Sequence, residues 1–283
     1  MLFLCNDEVV QTKIRLKFLS FLAQQTKTFL TLLQAERPMI HILHELALTT
    51  FQKIAKLVIK GEDVPKTAKG VVDLKLKDGE IDEELLLPSR DCVYLVNISE
   101  DISKLSSQQR REIRSELRES VLAMLRFMQE KLPYDKPIYA MFGFIDPKNR
   151  DKADMPKNGV AVAKFLNRFN AEEKEKLGVQ LNLYGSLPED QIPSYDRTKD
   201  RVDHHWVKVW KILEETNQEK PEELIKLVKL VCIQTHGNAF LERSLGLTKR
   251  LVTGRNSLAD VSVKALKTVT DVVKRYGAFG KQA

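Results

Sequence analysis

The residues with the greatest chemical capacity lie late in the chain. The segment His236 to Lys249 reads His-Gly-Asn-Ala-Phe-Leu-Glu-Arg-Ser-Leu-Gly-Leu-Thr-Lys, a small-residue turn leading into a stretch with one carboxylate, Glu242, flanked by bases. Cys232 stands one helical turn before His236. That spacing supplies half of a zinc ligand set, and zinc needs a second pair in the right relation. None is present, so a buried cysteine and a histidine at a helix boundary are expected, with no metal. His41 and His44 sit at i and i+3. Two imidazoles alone are a weak ligand set, and helix-surface histidines are the expectation. Arg110, Arg114 and Arg118 stand four apart, none with an acid three or four residues away to neutralise it. This stripe is a candidate phosphate-binding surface; pairing with acids of a neighbouring helix is the competing reading.

Charge gives a second pointer to a polyanion. The net charge is +7, and residues 243–283 hold nine Lys or Arg against Asp260 and Asp271. The whole excess therefore sits in the last part of the chain, where Lys249, Arg250, Lys264, Lys267, Lys274 and Arg275 are candidate DNA-binding residues. The plainer reading is the solvated face of a terminal helix. Cys5, Cys92 and Cys232 are odd in number and widely spaced, which suggests no disulfide framework and fits a reducing compartment. The opening apolar run is too short for a signal peptide, and no run approaches the roughly 18 apolar residues of a membrane span. These features predict an intracellular protein with no membrane partner, for which the nucleus is compatible with a DNA partner. No P-loop, zinc-finger or dinucleotide pattern occurs, so no cofactor and no small-molecule substrate is expected.

The segment His236–Lys249 resembles the HGNA-x-x-ER stretch near the end of transposases of the hAT superfamily, and more closely the transposase-derived proteins that keep this region without an active element. Residues Glu36 to Ala47, ERPMIHILHELA, are similar to the x-KPM-x-x-FL start of that family's helical region. The Asp146-Pro147 turn, and Asp203 with Trp206, also have counterparts there. The resemblance spans about residues 14–276. It implies a ribonuclease H-like core in which three carboxylates hold two divalent metals, with Glu242 as the third. The first two are aspartates upstream of the helical insertion, and no segment here is expected to supply them. One carboxylate cannot hold a metal pair against the metals' own repulsion. Ser244-Leu245-Gly246 also replaces the usual Gly-Phe-Ser. The expectation is a non-catalytic protein with Glu242 as a structural residue. The resemblance further assigns the last helix to dimerisation, along the stripe Leu258, Val261, Leu266, Val269, Val273 and Tyr276.

The elements that must position these residues are mostly helices. Ile14, Phe18, Phe21, Leu22, Phe29, Leu32 and Leu33 recur at helical spacing from about 9 to 35, and Pro38 ends the run. A second helix is predicted over about 39–60, antiparallel to the first. Residues 61–102 read as a connection in which Val71 to Leu74 forms a short strand. Ser106 to Gln109 is a capping-box start. The helix behind it reaches about Leu132, with Ile113, Leu117, Val121, Met124, Leu125 and Met128 on its core face. A charged loop over 146–158 precedes helices at about 159–169 and 171–183. Residues 185–200 read as a linker. Val202, Trp206, Val209, Trp210 and Leu213 make a stripe in which core packing outweighs base stacking. Pro221 opens a further helix, and Ser257 to Tyr276 the last.

The predicted fold is mainly α: a helical insertion-type bundle over 1–184, the linker 185–200, and over 201–283 a remnant of a ribonuclease H-like C-terminal part with few short strands. Three functions compete, in this order. The first is a non-catalytic interaction or dimerisation module. The second is a residual DNA-binding module. The third is a metal-dependent nuclease, which requires cleavage that Glu242→Ala abolishes.

Overall fold

The computed structural model describes residues 6–35, 37–76, 84, 86–87, 98–217 and 220–234. The segment His236–Lys249, the candidate cations from Lys249 onward and the stripe Leu258–Tyr276 lie outside the described residues, as do Cys5 and Cys92.

Helix α1, Asn6–Leu33, forms because its apolar residues return to one side every turn: Ile14, Phe18, Leu22 and Phe29 are all buried. Helix α2, Ile40–Ala55, starts just after Pro38 and packs on α1. It is shorter than predicted because the chain tightens into turns at Lys56–Val58, where Leu57 and Val58 stay buried while the helical ladder ends. The predicted strand at Val71–Leu74 is instead the end of a short helix, α3, Ala68–Asp73, with Leu74 extended just after it. Thr67 accepts from the amide of Gly70 and caps it, and the side-chain amide of Gln129 holds the carbonyls of Val71 and Leu74. Among the described residues there is no strand; an isolated antiparallel bridge joins Ile59 to Leu86.

Helix α4, Ser99–Ser103, is docked on α1 by the buried carboxylate of Asp101, which receives Lys13 at 2.9 Å and Lys17 at 2.6 Å. Both lysines hold that carboxyl well below its ordinary range. Helix α5, Ser107–Lys131, begins on the expected capping box: Ser106 accepts from the Gln109 amide, and Gln109 accepts from the Ser106 amide. Its buried face is Ile113, Leu117, Val121, Leu122, Leu125 and Met128, with Met124 half-buried at the edge. Both α1 and α2 pack against this helix.

The second half of the core is built on α6 (Ile138–Met141), the tight turns Phe142–Ile145 and Pro147–Asn149, α7 (Met155–Leu166) and α8 (Ala171–Ser186). Helix α7 starts earlier than predicted, with Pro156 in its first turn, and stops at Asn167 in the left-handed conformation (φ 50°). Gly159 lets α7 and α8 approach closely; a Cβ there would lie 2.5 Å from Leu181 Cδ1. Helix α8 carries a second capping box, Asn170 with Glu173. Helices α9, Val202–Asn217, and α10, Glu222–Cys232, close this half, α10 packing on both α8 and α9. Trp206 is fully buried beside Tyr184 (centroids 4.6 Å apart), and its indole donates to the carbonyl of Ile145 at 2.8 Å. Trp210 is half-buried under Lys229. Among the described residues no helix is long and apolar enough to cross a membrane.

Candidate functional site

Of the residues expected to meet a polyanion, Arg110, Arg114 and Arg118 are described. All three are half-buried alongside the core face of α5, and the Nε atoms of Arg110 and Arg114 are buried. Arg110 donates to the hydroxyl of Ser107 at 3.3 Å. The arginines are therefore not laid out on a fully open face. The remaining predicted site residues, including Glu242, lie outside the described residues.

The histidines are placed differently from the expectation. His41 is buried, 5% exposed, rather than on the helix surface, and its Nε2 lies 3.2 Å from the hydroxyl of Tyr195. His44 is half-buried, and desolvation lowers its pKa. His205, on α9, is 3% exposed with its ring 5.3 Å from that of Tyr195. Burial, reinforced by Lys208, lowers its pKa to about 4, so the imidazole is neutral at pH 7. Burial likewise raises the pKa of the Tyr195 phenol, with the Asp146 charge adding to it.

Beside this group lies an ion-pair centre that the sequence reading passed over. Asp146 is fully buried; its carboxylate accepts from the Lys148 amide at 3.0 Å and pairs with Arg197 at 2.6 Å. Arg197 also reaches Glu45 of α2 at 2.9 Å. Arg37 donates to the backbone carbonyls of Arg197, Thr198 and Asp200. The stretch 185–200, read as a linker, is thus tied down by Tyr195, Arg197 and the Arg37 clamp. The Asp-Pro turn was visible in sequence, but nothing local marks its partner so far along the chain. Chemically the centre is a brace: the Asp146 carboxylate is taken up by a guanidinium and a backbone amide, and that guanidinium is shared with Glu45. Among the described residues no group of three or more His, Cys, Asp or Glu is placed to hold a metal. Cys232 is free and half-buried, with its thiol pushed up to about 12 by burial, which leaves it un-ionised. A cavity of about 450 Å³ borders the centre, where His44, Glu45, Asn149, Lys152 and Asp154 share the lining with apolar Leu48, Met141 and Phe144.

The most conspicuous surface feature is on α1. Val9, Leu16, Leu19 and Leu30 are 47, 62, 57 and 49% exposed, and Ala23 is exposed between them. At 3.6 residues per turn they share a sector of about 80°, centred roughly 140° from the buried stripe. The helix is therefore apolar on two sides. Sequence reasoning followed only the buried stripe; the signal for the other was the seven-residue step Val9, Leu16, Ala23, Leu30.

Compared with protein-family models, with curated proteins and with solved structures, the chain matches none.

Proposed function

We propose that this chain is a non-catalytic interaction protein that self-associates, a domesticated or degenerate relative of hAT transposases. The observation that carries the reading is the second apolar stripe of α1, exposed on a helix whose other side is already committed to the core. Contiguous apolar surface of this kind marks an interaction site more often than scattered exposed residues do. The expected dimerisation stripe Leu258–Tyr276 and the single carboxylate Glu242 support the same reading from sequence. Light scattering of the purified chain over a range of concentrations tests it: the mass should rise above 32.5 kDa, and a monomer at every concentration removes it.

Residual DNA binding is the second reading, favoured by the concentration of the entire +7 excess in residues 243–283. Binding of this kind weakens linearly in log salt, because it releases counterions. Replacing Lys264, Lys267 and Lys274 with glutamine should weaken duplex binding and flatten that slope. Unchanged binding removes this reading.

A further inference from the structure

Resting on the self-association reading above, we infer that the exposed stripe of α1 pairs with the same stripe of a second copy, side by side and parallel in register. The stripe follows a heptad. Val9, Leu16, Ala23 and Leu30 occupy one seam position, and Thr12 and Leu19 the other. The next residue of the second seam, Thr26, is buried in its own molecule, so the seam is widest over Val9–Leu19 and narrows beyond it. The seven-residue recurrence of Val9, Leu16, Ala23 and Leu30 on a helix of 28 residues, with Leu19 beside it, is the spacing at which two helices interlock.

The flanking charges choose the direction. Lys13 and Lys27 lie on one side of the seam and Glu8 on the other. In a parallel pair each Glu8 faces Lys13 of the second copy, an attraction made twice by the two-fold axis. Lys13 also serves Asp101 within its own molecule, and an ammonium has three donors. In an antiparallel pair overlapping over the whole stripe, Lys13 instead faces Lys27 of the second copy, a repulsion made twice. The third flanking cation, Arg15, on the same side as Glu8, is already neutralised by Glu116 at 2.8 Å. A second copy is the occupant favoured over an unrelated helix because one surface supplies both the seam and its matching charge.

The test uses the full chain. Its mass is measured by light scattering beside the variant Leu16→Glu/Leu19→Glu, whose substituted side chains are exposed in the single molecule and leave the fold intact, as circular dichroism verifies. Expected are twice 32.5 kDa for the unaltered chain and 32.5 kDa for the variant. Leu16→Cys is then oxidised with diamide, the unaltered chain serving as control for its own cysteines. Parallel register brings the two introduced thiols together, and a new covalent dimer forms. The antiparallel overlap places Leu19 against Ala23, separating the two thiols introduced at Leu16 by about 15 Å along the axis, too far for a disulfide. In that case covalent dimer forms when Leu19→Cys is mixed with Ala23→Cys and not with Leu16→Cys alone. A dimer that survives Leu16→Glu/Leu19→Glu, or that cross-links only in the mixture, overturns this inference and leaves self-association standing. A monomeric unaltered chain overturns both.

Discussion

The fully buried carboxylate of Asp146 lies 2.6 Å from the guanidinium of Arg197, at the point where the turn after α6 meets the segment leading into α9. Arg197 is 20% exposed at its side chain and also holds Glu45, so one guanidinium joins three stretches of chain. A buried charge is tolerated only when paired and bonded, and removing one member leaves the other uncompensated. Asp146→Ala should therefore cost about 3 kcal/mol, the lower end for a broken buried pair because Arg197 retains some water. Asp146→Asn, which keeps an acceptor for the Lys148 amide, should cost less. Urea unfolding followed by circular dichroism reads both, and a loss below about 0.5 kcal/mol for Asp146→Ala would show the pair to be dispensable.

His205 gives the fold a pH dependence. Its folded-state pKa of about 4 lies below the ordinary 6.5, so the unfolded chain binds the proton first. The stability that follows from a neutral His205 is complete above pH 6.5 and falls as the pH drops from 6.5 towards 4. The loss approaches about 1.4 kcal/mol per pH unit within that window. His205→Phe, which keeps a ring against Tyr195, should flatten the profile there. The readout is the difference between the two urea midpoints at about pH 7 and about pH 4.5, either side of most of that window; equal pH dependence would exclude the assignment.

Asp101 anchors α1 through Lys13 and Lys17. Asp101→Asn should loosen α1, and amide hydrogen exchange should rise in Asn6–Leu33 while Ser107–Lys131 stays protected. The lowered carboxyl pKa sets the sign in acid: its stabilisation is present above the ordinary carboxylate value and lost as pH falls through the lowered one. Uniform exchange across both helices would contradict a local anchor.

The approach of α7 to α8 at Gly159 leaves no room for a methyl group, since Leu181 is fully buried and its Cδ1 would lie 2.5 Å away. Alanine would gain roughly 1 kcal/mol of helix propensity over glycine, and overpacking costs about 1–3 kcal/mol. Gly159→Ala should be destabilising on balance and Gly159→Val clearly more so. A thermal midpoint that rises in Gly159→Ala would mean that Leu181 repacks freely.

Local signals survived folding where the interaction itself was local. The Ser106–Gln109 box, the buried stripe of α1 and the helix behind Pro221 each rest on contacts within one or two turns, so spacing reveals them. The strand expected at Val71 failed because its fate is set from outside: Gln129 of α5 holds the carbonyls of Val71 and Leu74. His41 was placed on a surface because a helix pattern cannot reveal that Tyr195 arrives to cover it.

By itself the sequence determined that this is a mainly helical protein, where its long helices begin, and that its positive excess lies at the end, because capping, periodicity and charge are properties of neighbouring residues. Only the tertiary structure decided that Asp146, Arg197 and Glu45 meet, that His41 and His205 lose their water, and that one apolar side of α1 is left facing solvent. Those outcomes depend on which distant segments exclude water from which side chains; spacing along α1 shows two apolar stripes and not which of them the core covers.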